Sequence, residues 1–457
     1  MSFMPEALTA AANLQSRDDY IASLVAWAQE NLGHFSSMGE IAARERELNR
    51  YPHLDSLQEP RQVLVLDDEV PGRARAALAK GEVLFEHAAA GEGTRLTLGP
   101  KYFLDLSQFT VEHAAHLISQ ETGEVVRPKE VAGRLLCPPQ ELLPLALGTR
   151  HMLQLAFDLE GLARELGEPP REVLSRQHLL VIIAEEMLAH IEKEFYHWHF
   201  FGFAPGNVFF MVQEGFHGLN LKGGRFFYDE GSPRRLHNHG QMVMQQTMDR
   251  QLFTLTGGAH PWDQAYFPQA AVGDWLQGFA DKISYNIEDL DYLTSSLDLP
   301  GLDLALELGE QGYHMVMEVM ANNPSKPQKG GMLAWDPACK RDVMVESFQL
   351  GDLENTAIKY LNRNVNHYPR PWVSWRTVGE AGLPMPIAVK DNLLYFKPVQ
   401  GDINFLVDTA FFRRRALRPI RNLKSPAGLP LAINCMAAQD RQAGFRNFVA
   451  RLQEGGL

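Results

Sequence analysis

From Arg61 onward, short β-rich runs alternate with longer amphipathic segments, and this alternation limits the possible folds more than any other feature of the chain. The runs are 62–66, 83–87, 179–184, 208–212, 315–320 and 342–346, with amphipathic stretches such as 184–195 and 302–308 between them. Strands separated by helices return to the same sheet in the same direction, so the pattern predicts an α/β domain. Its sheet should be doubly wound, mixed and mostly parallel. Such sheets bind ligands beyond the carboxyl ends of their strands, which directs attention to the loops there.

Two flanking segments differ in character. Residues 1–60 read as a helical appendage. Ile21, Leu24, Val25, Ala28 and Leu32 form one apolar stripe, and Asp18 and Asp19 suit the positive end of a helix. Residues 61–412 form the α/β domain, and 413–457 a basic segment followed by a short closing helix. Arg413, Arg414, Arg415, Arg418, Arg421 and Lys424 crowd the start of that last segment. They read as a solvated face, or as a rim attracting phosphorylated ligands or packing against an acidic neighbour.

Charge and cysteine usage narrow the partners. Lys and Arg number 43 against 56 Asp and Glu, a net charge of −13, which disfavours a nucleic-acid backbone. Cys137, Cys339 and Cys435 lie far apart without a C-x-x-C pair, arguing against a disulfide scaffold or zinc ribbon. No cationic leader is visible, and no apolar run approaches the roughly 18 residues of a membrane span. The expectation is a soluble cytoplasmic protein, without membrane or nucleic-acid partners, acting on a small anionic ligand. Oligomeric state is not legible.

The most informative stretch is VLFEHAAAGEGTRLTLGPKYFLDL, residues 83–106. A β-rich run ends in the small-residue loop 88–93, followed by Thr94, Arg95, Pro100 and Lys101. Small residues let backbone N–H groups converge on an anion, and Arg95 and Lys101 can neutralise the remaining charge. The chemistry suggested is triphosphate binding. Neither G-K-[ST] nor G-x-G-x-x-G is present, so a P-loop and a Rossmann turn are excluded.

This loop resembles the G-G-x-G-T-(R/S)…P-K signature of sugar-nucleotide pyrophosphorylases, and the chain is most similar to the UTP–glucose-1-phosphate uridylyltransferase (UDP-sugar pyrophosphorylase) branch. Further segments agree in order between about residues 82 and 424. FFMVQEG places Gln213 like the family's F-x-Q, and HNHGQ places His239 and Gly240 at its G-H-G-D turn. ISYNIEDLDYL is similar to N-x-D-N-L, with Glu288 in the carboxylate position. KGGML carries Gly330 and Gly331, VESFQ carries Glu346, and ENTA matches N-T-N-N through Asn355 and Thr356. Lys397 followed by FLVDTA resembles a phosphate-binding lysine before Q-L-E-T-A, giving Asp408.

The resemblance implies a nucleotide-diphospho-sugar transferase-like fold. It also implies a Mg²⁺-dependent reaction that joins UTP, or another NTP, to a sugar 1-phosphate with release of pyrophosphate. Arg95, Lys101 and Lys397 would be catalytic. Ala90, Gly91, Glu92, Gly93, Thr94, Gln213, His239 and Gly240 would bind nucleotide. Gly330, Gly331, Glu346, Asn355 and Thr356 would bind the sugar, and Glu288 and Asp408 the metal.

Departures leave a second reading open. Ala90 replaces a loop glycine, Glu288 an aspartate, and the stretch after Thr94 is about one residue short. A pyrophosphorylase-like protein that binds nucleotide or sugar nucleotide as a sensor, without turnover, would tolerate all three. A third constellation is Glu186, His190 and Glu194 at i, i+4, i+8, which could present a metal-binding helix face. Its spacing is not H-E-x-x-H, and a polar helix face is the plainer explanation.

Overall fold

A computed structural model describes residues 9–10, 12–67, 72–91, 93, 96, 98–256, 263–325, 327–416 and 421–455. The helix expected near the start spans Arg17–Leu32 (α1), and a second spans Met38–Leu48 (α2). Ser16 caps α1. Its hydroxyl accepts from the Asp19 N–H, and the Asp19 carboxylate accepts from the Ser16 N–H at 3.0 Å. The buried stripe is Tyr20, Leu24, Ala28 and Leu32, the spacing of one helical face.

Among the described residues, twelve strands form one mixed sheet. In chain order they are β1 (Val63–Leu66), β2 (Val83–Ala88), β3 (His178–Ala184), β4 (Val208–Gln213), β5 (Leu252–Leu255), β6 (Gln264–Tyr266), β7 (Asp281–Asn286), β8 (Met315–Ala321), β9 (Met332–Asp336), β10 (Arg341–Val345), β11 (Tyr360–His367) and β12 (Thr409–Arg414). Their spatial order is β1-β12-β8-β11-β7-β2-β3-β4-β5-β6, with the β9–β10 hairpin joined beside β11. The strands β1, β12, β8, β7, β2, β3 and β4 run parallel, while β11 is inserted antiparallel between β8 and β7. The expected mostly parallel α/β sheet is present.

Successive residues of the central strands feed two different cores. Val83 and Phe85, Leu179, Val181 and Ile183, and Phe210 belong to one; Leu84, Leu180, Ile182, Phe209 and Met211 belong to the other. A sheet buried on both faces in this way reads as a continuous apolar run, which is why these strands were visible in the sequence. The stripe of α1 joins the second core, so the amino-terminal helices pack on one face.

The other face carries Leu147–Leu166 (α3), a helix across the Gln213 turn lies at Asn238–Gln245 (α4), and the chain closes with Leu429–Asp440 (α5) and Phe445–Gln453 (α6). The carboxyl-terminal segment therefore holds two helices, not one short one, and both share the α3 core. Arg150 on α3 is fully buried. It donates to Asp440 Oδ1 at 2.7 Å and to the Leu143 carbonyl at 2.8 Å, tying α3 to α5.

The basic run also departs from a solvated face. Arg414 lies inside β12, is buried, and pairs with Glu318 and Asp298; Arg415 pairs with Asp67 and Arg421 with Asp291. Arg418 lies outside the described residues. No helix among the described residues is long and apolar enough to cross a membrane.

Candidate functional site

Parallel β2 and β7 end level with one another, Ala88 opposite Asn286. Beyond these ends opens a cavity of about 220 Å³. Its walls carry Ala88, His239, Ser284, Asn286, Glu288, Glu346, Asn362, Asn364, Asn366, Gln400, Gly401 and Lys424. Whole small-molecule pockets usually measure about 300–1,000 Å³, so this cavity has room for only part of such a ligand.

The floor is a buried polar network. Glu86 on β2 is fully buried and accepts from Lys282 Nζ at 2.8 Å, Ser284 Oγ at 2.8 Å, Gln246 Nε2 at 2.9 Å and Gln400 Nε2 at 3.1 Å. Burial alone would raise the Glu86 carboxyl, but the Lys282 ammonium and the surrounding donors outweigh it and hold the group below its ordinary range. Ser284 and Gln400, which line the cavity, are thus fixed from beneath.

The mouth is cationic. Glu288 receives Lys101 Nζ at 2.6 Å and Lys424 Nζ at 3.3 Å, one carboxylate facing two ammonium groups. Burial pushes the Glu288 carboxyl up, yet the two lysines hold it below its ordinary range. An incoming anion therefore meets two ammonium groups beside one carboxylate. Glu346, the other carboxylate on the wall, is raised by burial despite the Asn362 amide donating to it at 3.3 Å.

The loop after β2 bends back to this mouth. The Lys101 N–H donates to the Gly91 carbonyl at 3.1 Å, and Gly93 takes φ +61°, where a Cβ would lie 2.6 Å from the Gly99 oxygen. Gly93 is therefore required for conformation and for space. Ala90 keeps a negative φ, so its methyl group in place of a glycine is not strained. Glu92, Thr94 and Arg95 lie outside the described residues.

The other expected residues divide into those brought together and those left apart. Gln213 Nε2 donates to the Asn238 carbonyl at 2.8 Å, immediately before His239 and Gly240 at the start of α4. Gly240 approaches Pro398 so closely that a Cβ would sit 2.3 Å from its carbonyl carbon. Burial lowers the His239 pKa, opposed by Glu288. Gly331 faces Glu346 Oε1 at 3.4 Å from its notional Cβ, and Gly401 does so at 3.3 Å; the Gly330 position is pressed against Leu361.

Three assignments need correction. Asp408 precedes β12 at the opposite end of the sheet. Pairings run Ile283 to His367, His367 to Val316 and Val316 to Ala410, which separates Asp408 from Glu288 by on the order of 20 Å at about 3.3 Å per residue. The two carboxylates cannot share a cation. Lys397 follows a strand of a separate four-stranded sheet and points to Glu45 on α2, 3.7 Å away, outside the cavity. Asn355 and Thr356 form a 3₁₀ turn in which Thr356 is exposed and donates to Glu354. The Glu186–His190–Glu194 face holds no cluster either: Glu186 is exposed, His190 sits against the Phe103 ring, and Glu194 contacts Thr149.

Sequence reasoning named Lys424 only as one cation of the basic run, and it missed the asparagines of β11. Asn362, Asn364 and Asn366 recur at every second position, a signal for one polar face of a strand. A bulge with two extra residues opposite Met317–Val319 puts Asn364 at φ +61°, a conformation asparagine tolerates better than most residues.

A larger cavity of about 520 Å³ lies on the other side of β11, lined by Asp289, Asp291, Asp298, Glu318, Arg363, Arg414 and Arg421. Its arginines are already engaged: Arg363 by Glu318 at 2.8 Å and Asp291 at 3.0 Å, Arg414 by Glu318 at 3.0 Å, Arg421 by Asp291 at 2.5 Å. Burial and the neighbouring Glu288 push Asp289 up to about 8, which leaves three acids against three arginines.

No family model and no curated protein matches the sequence. Solved structures do match. The UDP-N-acetylglucosamine pyrophosphorylase of Trypanosoma brucei, solved with an inhibitor, is 14% identical with a TM-score of 0.54 over 92% of this chain and 70% of its own. A UDP-glucose phosphorylase of the same organism is 15% identical with a TM-score of 0.53, covering 87% and 74%. A variant of the Leishmania major UDP-glucose pyrophosphorylase in complex with UDP-glucose is 14% identical with a TM-score of 0.53, covering 90% and 74%. At these identities the likeness is one of architecture: this chain has the fold of the UDP-sugar pyrophosphorylases.

Proposed function

We propose that the protein is a nucleotidyltransferase that joins a nucleoside triphosphate, UTP in the first instance, to a sugar 1-phosphate and releases pyrophosphate. The observation that carries this reading is the pair Lys101 and Lys424 converging on Glu288 at the mouth of an amide-lined cavity. The sugar phosphate oxygen attacks the α-phosphorus and is already anionic, so no general base is needed. Positioning and charge stabilisation do the work.

In this scheme the backbone of the 88–93 loop cradles the triphosphate. Lys101 and Lys424 leave Glu288 to meet phosphate oxygens as charge moves onto the departing pyrophosphate. Gln213 holds the turn that presents His239 and Gly240 to the base. Asn362, Asn364, Asn366 and Glu346 meet the sugar hydroxyls, with Gly331 and Gly401 leaving the space. Glu288 would supply the protein carboxylate for a magnesium ion that neutralises triphosphate charge, since an ion of this kind needs only one or two carboxylates beside substrate phosphates.

The neighbouring proteins are described as acting on UDP-sugars, and one was solved with UDP-glucose, which supports the substrate class. A sensor without turnover has one observation in its favour: the carboxylate expected beside Glu288 lies far away. Pyrophosphate release, measured with Mg²⁺, each of the four NTPs and a panel of sugar 1-phosphates, separates the two. Release with one matched pair, lost in Lys424→Ala, supports the enzyme. UTP binding with silence across the panel supports the sensor.

A further inference from the structure

Away from the cavity, His53, Asp336 and Cys339 each turn one ligand atom toward a common point, all within 4.8 Å of one another. Among the described residues no other group of three or more His, Cys, Asp and Glu side chains does so. We propose that these three residues form a zinc site that fastens the segment after α2 to the β9–β10 hairpin.

Asp336 ends β9 and has a fully buried side chain. Its carboxylate is held in place from both sides: Tyr51 Oη donates to Oδ2 at 2.7 Å, and the Ala338 N–H donates to Oδ1 at 2.8 Å. Carboxylate ligands oriented by outer donors are the rule in metal sites. His53 Nδ1 lies 2.7 Å from Asp336 Oδ2, the geometry of a shared proton. A metal replaces that proton when the two atoms separate to about 3.4 Å, the spacing set by tetrahedral bonds of roughly 2.1 Å. His53 and Cys339 lie on turns, so this opening needs no movement of the sheet.

The donor set selects the ion. One sulfur, one imidazole nitrogen and one carboxylate oxygen suit Zn²⁺ or Co²⁺ and are poor ligands for Mg²⁺, which prefers oxygen. A thiol must lose its proton to ligate a metal. On binding, that proton leaves to solvent and the His53 proton moves from Nδ1 to Nε2. A dication with one thiolate and one carboxylate is then neutral overall. His53 is 31% exposed, so water reaches the fourth position.

The hairpin is already bound to the same segment by the Gln58–Trp335 bridge and by the Arg61 guanidinium 4.0 Å above the Trp335 ring. Zinc adds a further fastening point there.

The test is titration of the metal-free full chain with Co²⁺, followed by Zn²⁺ competition. One equivalent of Co²⁺ should give an intense near-ultraviolet thiolate band, bleached by Zn²⁺ and unaffected by excess Mg²⁺. Cys339→Ser should abolish the band, and His53→Ala should weaken binding by at least about tenfold. No thiolate band at excess Co²⁺ in the native chain overturns the site, and this measurement needs no variant to fold. A band that persists in Cys339→Ser, or an affinity unchanged in His53→Ala, overturns it equally.

Discussion

Replacing Lys282 by methionine tests the buried network beneath the cavity. Glu86 is fully buried, Lys282 nearly so, and their contact is 2.8 Å, so solvent does little to screen the pair. Removing one partner of such a pair leaves an uncompensated charge and costs about 3–5 kcal/mol, a large share of the roughly 5–15 kcal/mol that holds a domain together. The loss should depend on pH in a definite direction. In the native chain the Glu86 carboxyl lies below its ordinary value, so its contribution is present above the unfolded pKa and fades as pH falls. Without Lys282 burial raises it, and the contribution is then greatest at low pH and lost as pH rises. The destabilisation of Lys282→Met, read by urea unfolding, should therefore be larger at pH 8 than at pH 5. Glu86→Gln in the same background should restore part of it. Equal losses at both pH values, or a double variant no more stable than the single one, would refute the charge argument.

Four further outcomes are expected. Lys101→Ala and Lys424→Ala should each lower the rate of pyrophosphate release by roughly 10²–10³, and in Lys424→Ala, whose side chain is 43% exposed, the midpoint of thermal unfolding stays near that of the native chain. Gly240→Ala places a methyl group against the Pro398 backbone and should cost at least about 1–3 kcal/mol in denaturant unfolding. Gly93→Ala, at positive φ and against the Gly99 carbonyl, should lose about 1–2 kcal/mol and weaken triphosphate binding by calorimetry. Glu194 has its pKa raised to about 7 by burial, so it favours the fold fully below its unfolded value, and this is lost as pH rises toward 7. Glu194→Gln should flatten that part of the stability–pH curve.

The strands most legible in the sequence have both faces in a core, although the half-exposed run 62–66 became β1 as well. The run 179–184 is apolar throughout and became β3; 83–87 and 208–212 became β2 and β4. Two further strands that carry the cavity were not legible, for the same physical reason inverted. DKISYN in β7 and YLNRNVNH in β11 expose one face to a polar cavity and the other to ion pairs or aromatic packing, so neither reads as an apolar run. TAFFRR in β12 was obscured by arginines whose partners, Glu318 and Asp298, lie far off in sequence. Lys397 and Asp408 rested on short motif matches without spacing to test them, and both belong elsewhere in the fold. The loop after β2 was better defined, because its small residues, Pro100 and Lys101 had to act together.

The bulge in β11 sets a rule for which insertions and deletions the protein can accept. Because it adds two residues, side chains on either side of it keep their parity: asparagines 362, 364 and 366 face one cavity while Arg363 and Val365 face the other. Losing one residue between 362 and 366 would invert one flank, driving an arginine into the amide-lined cavity and leaving Glu318 or Asp291 unmatched. Losing two would straighten the strand yet keep every flanking side chain on its own face. Length variation in this segment should therefore be tolerated only in even steps.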